Sequence, residues 1–202
     1  MIAFIGDVHR SFDRLASTVA GLPPSVDVAI QVGDLGLHGD DLQPAGTVPP
    51  LPRKVYYVTG NHDHEPSYRG IGRPTEMAPN LIYVPRGTVL ELDGRRIAFL
   101  GGGDSVIDRA YRRDNVDWWP EERITAADIA RLERAGRVDL LVSHTPPAFV
   151  YHAIGFTPDP SAMAVGQAWQ ILGRPPVISG HLHMARTVGR VRVLDAFEVL
   201  IA

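Results

Sequence analysis

The sequence predicts an α/β protein in which helices and sheet form packed layers. Short apolar runs recur along the chain, and several end in a glycine followed by an acidic or amide residue. Segments with helical spacing of apolar residues lie between some of these runs. The composition, 45% hydrophobic and 21% charged residues over 202 positions, is that of an ordinary globular protein.

The first half of the chain predicts buried strands separated by a helix and a loop. Apolar residues recur at helical spacing from Phe12 to Ala20, with Ser11 as the candidate cap and Gly21 as the stop. Residues 36 to 53 are rich in glycine and proline and predict a loop. The predicted strands are Ile2 to Ile5, Val26 to Val32 and Val55 to Val58.

The second half predicts shorter strands, a long polar loop and two helices. Asp93-Gly94 is a hairpin signal, and residues 101 to 122 predict the loop. The helices are expected from Thr125 to Ala135 and over residues 161 to 172, with an irregular stretch from Pro146 to Pro160. The strands are expected at 81–84, 89–92, 96–100, 139–142 and 177–179, followed by two or three antiparallel strands in the tail, 187–201.

Composition limits the possible functions. Cysteine is absent, so any bound metal must take nitrogen and oxygen ligands. The net charge is -3 and the basic residues form no run, which argues against long nucleic acid as a partner. No signal peptide or apolar membrane span is apparent, so we expect a cytoplasmic protein with a single domain, 1–202. The oligomeric state stays open.

Potential metal ligands follow the apolar strands. Gathering carboxylate, amide and imidazole groups at one sheet edge is unfavourable unless cations offset their repulsion and desolvation. The set suits two divalent ions, with Asp34 as the natural bridge, and imidazole with carboxylate suits Mn, Fe or Zn. A water shared by such ions becomes a hydroxide that can attack phosphorus. The candidate ligands are Asp7, His9, Asp34, Asn61, His144, His181 and His183.

Five motifs follow the strands in order: Asp7-Val8-His9, Gly33-Asp34, Gly60-Asn61-His62-Asp63, His144 and Gly180-His181-Leu182-His183. Together they resemble the calcineurin-like metallophosphoesterase superfamily, and the loop of residues 101–122 resembles a segment of its small bacterial and phage-type members. The resemblance implies two mixed β-sheets packed as a sandwich and flanked by helices, with a dinuclear site at the carboxyl ends of strands. It assigns one metal to Asp7, His9, Asp34 and His183, and the other to Asp34, Asn61, His144 and His181.

The same resemblance gives His62 and Asp63 catalytic roles. His62 donates a hydrogen bond to the phosphoryl group or protonates the leaving oxygen, and Asp63 orients its ring. The implied activity is metal-dependent hydrolysis of small phosphomonoesters or phosphodiesters. A cyclic-nucleotide phosphodiesterase or nuclease with the same centre is the alternative, and a non-catalytic scaffold is a further one.

Substrate contacts are predicted less directly. Asn61 and His62 are expected to touch the substrate, and Arg10 either does so or pairs with a nearby carboxylate. In the 101–122 loop, Arg109 or Arg112 could hold a phosphate while a tryptophan stacks on a base or sugar. Alternatively, the tryptophans pin the loop to the core and its charges pair with one another. Arg10 and Asp63 depart from the protein phosphatase branch, so that activity is not expected.

Overall fold

The computed structural model describes residues 1–38, 41 and 48–202. Part of the loop predicted over residues 36 to 53 therefore lies outside the described residues. The helices are α1 (Phe12–Ala20), α2 (Ala126–Ala135), α3 (Ala148–Ala153) and α4 (Pro160–Ile171). The strands are β1 (Ile2–Ile5), β2 (Val28–Gln31), β3 (Lys54–Tyr57), β4 (Thr75–Ala78), β5 (Leu81–Tyr83), β6 (Thr88–Leu92), β7 (Arg95–Leu100), β8 (Leu140–Ser143), β9 (Val177–Ser179), β10 (Arg186–Val188), β11 (Val191–Val193) and β12 (Val199–Ile201).

The strands form two mixed sheets of six strands, ordered β12-β1-β2-β3-β5-β4 and β10-β11-β9-β8-β7-β6. In the first sheet β1, β2, β3 and β5 run parallel, with antiparallel strands at both edges. In the second, β7, β8, β9 and β11 run parallel, again with antiparallel edges. Together with the flanking helices, these sheets confirm the predicted sandwich.

The hydrophobic core has three layers, because successive side chains of each strand point to opposite faces of its sheet. Ile2 and Phe4 of β1 pack between the sheets against residues such as Phe99. Their neighbours Ala3 and Ile5 face the other way, where they pack with α1. A third layer lies outside the second sheet, where buried residues of α2 and α4 cover it. Strands covered on both faces explain why the sequence shows continuous apolar runs instead of alternation.

Local signals fix the helix starts to different degrees. Thr125 and Asp128 form a capping box at α2, so this predicted boundary is confirmed. Asp159 caps α4 by accepting from Ala162 N. Ser11 occupies the cap position of α1, but its side chain makes no capping hydrogen bond, so the predicted capping interaction is wrong.

The structure differs from the sequence prediction at three other places. Helix α3 lies within the stretch predicted to be irregular, because Pro147 precedes its first turn, where a missing N–H is harmless. Strand β4 was not predicted, since Thr75–Ala78 lacks the β-branched alternation that marks a strand. In the tail, β10 and β11 pair antiparallel as expected, but β12 joins β1 in the other sheet.

Candidate metal centre

The predicted ligands meet at one end of the sandwich. Asp7, Asp34 and Asn61 follow the carboxyl ends of β1, β2 and β3, which are adjacent parallel strands of the first sheet. His144 and His181 follow β8 and β9 of the second sheet. Parallel strands place their carboxyl ends on one edge, so both sheets deliver polar side chains to the same region.

The first group of ligands is compact. Asp7, His9, Asp34 and His183 each offer an atom, and these atoms all lie within 4.8 Å of one another. The Nε2 atoms of His9 and His183 are 2.9 Å apart, and His183 Nε2 lies 3.1 Å from Asp7 Oδ2. Two carboxylates and two imidazoles at these distances form a nitrogen and oxygen donor set that fits a divalent cation.

The second group consists of close pairs around His144. Its Nε2 atom lies 3.2 Å from Asn61 Oδ1, 3.2 Å from His181 Nδ1 and 3.4 Å from Asp34 Oδ1. Atoms bound to one ion at about 2.0–2.2 Å are themselves separated by roughly 3.0–3.5 Å, so these separations also fit a cation. Asp34 contributes Oδ1 here, while its Oδ2 lies 3.9 Å from His9 Nε2. Asp34 thus lies between the two groups, as a bridge requires.

A backbone contact fixes the orientation of the His144 ring. Nδ1 donates to Val32 O at 3.1 Å, which turns Nε2 toward Asp34 and Asn61. Burial lowers the pKa of His144, but Asp34, Asp7 and Asp63 outweigh it and raise the pKa to about 9. The same negative surroundings that favour a proton on this ring also favour a metal cation.

His181, beside His144, and His183, beside Asp7, carry opposite pKa shifts. Burial, with the nearby His144, lowers the pKa of His181 to about 3, so its ring is neutral and can act as a ligand. The hydrogen bond to Asp7 raises the pKa of His183. The side chain of His183 is 50% exposed whereas that of His144 is fully buried, so the first group has a ligand more exposed to solvent than the ring at the middle of the second.

Three glycines admit the ligands. A Cβ at Gly60 would lie 2.1 Å from Asp34 Oδ1, and one at Gly180 would lie 2.1 Å from Asp7 Oδ1. Gly33 has φ +108°, and its Cβ would lie 2.5 Å from His144 Nδ1. Gly60 and Gly180 therefore provide space for the carboxylates, whereas Gly33 provides space for the His144 ring and also has a left-handed backbone.

Several ligands themselves have left-handed backbones. The φ angles are 45° at His9, 53° at Asp34, 71° at His181 and 47° at His183. Residues with a Cβ adopt this region rarely, and each such residue carries a modest strain. The surrounding strands hold these side chains toward one another against that strain, which is typical of a functional site.

His62 lies at the solvent side of the centre. Its backbone N–H donates to Asp34 Oδ1 at 2.8 Å, and its side chain is 42% exposed. The ring lies edge-on to His9, with 5.4 Å between centroids. His62 is therefore placed where it can reach a group bound at the metal centre.

Asp63 does not have the role predicted for it. Its carboxylate accepts hydrogen bonds from Gly36 N and Gly60 N, both at 2.7 Å, and is buried beneath the site. Burial, together with Asp34, raises the pKa of Asp63 to about 7. Asp63 therefore ties two strand-end loops together. A different carboxylate lies beside the His62 ring, that of Asp108, whose Oδ2 is 3.6 Å from Nε2.

For both arginines the structure agrees with the alternative of pairing within the protein. Arg10 pairs with Asp41, 2.8 Å from its carboxylate. Arg109 pairs with Asp114 and stacks on Trp118 at 3.8 Å, which agrees with the alternative that loop charges pair among themselves. Of the described residues that line the cavity at the metal centre, none is Arg10 or Arg109.

Arg112 and the two tryptophans of the loop are structural as well. Arg112 donates to Asn61 O at 2.8 Å and to Asp117 O and Ser105 Oγ. Trp118 and Trp119 are 9% and 5% exposed, so neither ring is free to stack on a substrate. The loop is held by its own side chains.

A cavity of about 920 Å³ opens on the centre. Asp34, Asn61, His62, His181 and His183 line one end of it, together with Asp108 and Asp159, which the sequence did not identify as site residues. Asp159 lies 4.0 Å from His181 Nε2, and the only local signal for it is the helix start that it caps. Asp108 belongs to the polar loop, but nothing in the sequence distinguishes it from the other loop acids.

The sandwich of two mixed sheets with a strand-end cluster of aspartate and histidine defines a class of metal-dependent hydrolases. Comparison with family models agrees: the chain matches the calcineurin-like phosphoesterase model over residues 1–185. The protein therefore belongs to the calcineurin-like phosphoesterase family, whose members are metal-dependent phosphoester hydrolases. A search of curated proteins finds no match. Among the described residues, no helix is long and apolar enough to cross a membrane.

Proposed function

We propose that the protein hydrolyses small phosphomonoesters or phosphodiesters at a centre of two metal ions that share Asp34. The observation that carries this proposal is the position of Asp34, with Oδ1 3.4 Å from His144 Nε2 and Oδ2 3.9 Å from His9 Nε2. One ion would be held by Asp7, His9, Asp34 and His183. The other would be held by Asp34, Asn61, His144 and His181.

The donor set is free of thiolate and suits Mn, Fe or Zn, with Mn as the first choice. When bound, the ions supply an activated water nucleophile and offset the charge on the phosphoryl oxygens. Asp34, Asn61 and His183 line the cavity, so the phosphoryl group binds at that end.

His62 donates a hydrogen bond to the phosphoryl group or a proton to the leaving oxygen. Its ring is reachable from the cavity, and its backbone is anchored on Asp34, so it keeps a fixed position relative to the centre. Asp108 Oδ2, 3.6 Å from the ring, takes over the orienting role that the sequence had suggested for Asp63.

The proposal is tested with p-nitrophenyl phosphate, bis-p-nitrophenyl phosphate and cyclic nucleotides on metal-stripped protein. Mn, Zn, Fe or Mg is restored singly, and bound metal is measured by plasma mass spectrometry. We expect the rate of hydrolysis to increase with bound metal until each chain holds two ions. The ratio of diester to monoester rates assigns the ester class, and a protein that binds two ions yet hydrolyses none of these esters contradicts the proposal.

A further inference from the structure

The cavity extends well beyond the space that a phosphoryl group needs. Its volume, about 920 Å³, is in the range of pockets that enclose a drug-sized ligand. Away from the metal centre it is bounded by the loop of residues 104–108 and by residues 155–160, which join α3 to α4. Any group esterified to a phosphate at the centre therefore projects between these two segments.

This outer part of the cavity presents apolar side chains to solvent. Ile107 is 94% exposed, Val106 64% and Phe156 50%, and all three line the cavity together with Leu182 and Pro158. Exposed apolar residues are unremarkable singly, but a group of them on one concave surface indicates a binding site. We call Val106, Ile107, Phe156, Pro158 and Leu182 the apolar wall.

The charges around the cavity limit what else a substrate can carry. Of the described residues that line the cavity, none is an arginine or lysine, whereas Asp108 and Asp159 are both acidic lining residues. Two arginines that contact residues of the cavity lining have partners within the protein. Arg112 donates to Asn61 O and Ser105 Oγ, and Arg123 Nε lies 2.6 Å from Asp104 Oδ1. A second anionic group on the substrate would meet carboxylates and apolar carbon without a counter-charge.

We infer that the substrate, for the phosphoester hydrolysis proposed above, is a phosphoester of an apolar or aromatic alcohol that carries no second anionic group. The phosphate lies at the metal end, and the organic group packs on the apolar wall. Nucleoside polyphosphates and polynucleotides are disfavoured for the same reason, because no arginine or lysine among the described lining residues would offset the charge of their further phosphates.

The inference is tested by binding as well as by turnover. Methylphosphonate, (1-naphthyl)methylphosphonate and a ring-sulfonated form of the latter are titrated calorimetrically into Mn-loaded protein. We expect the naphthyl compound to bind about tenfold more tightly than the methyl compound, and the sulfonate to remove that gain. Equal affinities for the three, or no binding by any, would overturn the inference.

Two variants locate the preference on the apolar wall. Ile107→Glu should abolish most of the tenfold preference for the naphthyl group, and Phe156→Ser should reduce it. Met163→Glu is the matched control, because Met163 is 58% exposed on α4 and does not line the cavity. A preference that survives in both wall variants contradicts the inference.

Failure of this inference and failure of the proposed hydrolysis are distinguishable in the same experiments. If the naphthyl preference is present and lost in Ile107→Glu, but no ester of phenol or naphthol is hydrolysed, the binding inference stands and the hydrolase proposal falls. If both esters are hydrolysed at the same kcat/KM and the phosphonates bind equally, the hydrolase proposal stands and the inference falls.

Discussion

Polar side chains are arranged in opposite ways at the strand ends and in the loop of residues 101–122. At the strand ends, groups of the same kind face one another, as His9 and His183 do with Nε2 atoms 2.9 Å apart. In the loop, each cation has a complementary acceptor, as Arg112 has in Asp117 O and Asn61 O. Several imidazole and carboxylate groups gathered at one point fit a bound cation, whereas a loop whose cations each have their own acceptor stabilises itself.

The largest expected effect is at the carboxylate shared by the two ligand groups. Asp34→Asn weakens both metal sites, so we expect kcat/KM to fall on the order of 10³-fold and bound metal to fall below one ion per chain. Plasma mass spectrometry and initial rates measure the two effects. Asp13→Asn, on the exposed side of α1, is the matched control, and near-normal turnover of Asp34→Asn would contradict the bridge.

A smaller effect is expected from a methyl group that displaces the same carboxylate. In Gly60→Ala the new Cβ would lie 2.1 Å from Asp34 Oδ1, so the carboxylate must shift. A shift of about 1 Å in such a group typically lowers activity about 100-fold, and we expect that loss with partial retention of metal. Gly72→Ala adds a methyl group with nothing within 4 Å and should match the parent protein. Equal rates for the two variants would show that the close approach is unimportant.

One residue connects the loop to the chemistry of the strand ends. Asp108→Asn should leave metal content unchanged and slow esters with poor leaving groups about tenfold, since it alters the carboxylate 3.6 Å from His62 Nε2. His62→Gln should produce the same selectivity with a larger loss, about 100-fold. The readout is the dependence of kcat on leaving-group pKa, with Asp114→Asn as the control on the same loop. A uniform loss across leaving groups would exclude the orienting role.

The smallest effects are expected on stability, in the self-paired part of the loop. Arg112 is 11% exposed, and Arg112→Ala leaves Asn61 O, Asp117 O and Ser105 Oγ without this donor. We expect the free energy of unfolding in urea to fall by about 2 kcal/mol. Arg109→Ala, at a side chain 37% exposed, should lower it by less than about 1 kcal/mol. The reverse order would mean that burial does not set the contribution of these arginines.

The strand-end residues could be predicted from sequence because two local signals coincide. An apolar run identifies a strand, and a polar residue within three positions of its end lies at the carboxyl edge, where parallel strands converge. Asp7, Asp34 and His144 follow this rule. The antiparallel edge strand β12 could not be predicted in the same way, because its pairing with β1 depends on contacts between the two ends of the chain.

The partners of loop side chains could not be predicted from sequence. Asp63 follows His62 directly, yet in a turn consecutive side chains point in different directions, and Asp63 binds the backbone of Gly36 and Gly60. Arg109 has a side chain suited to binding phosphate, but it stacks on Trp118, pairs with Asp114 and does not line the cavity. Nothing local determines whether a guanidinium binds a ligand or its own loop.

The two sheets contribute different ligands to the centre, Asp7 and Asp34 from the first and His144 and His181 from the second. An ion held between them is therefore a cross-link that the unfolded chain lacks. Ligands that bind only the folded state stabilise it by about 2.7 kcal/mol at one hundred times the dissociation constant. The midpoint of thermal unfolding should consequently rank candidate metals by affinity in a substrate-free screen.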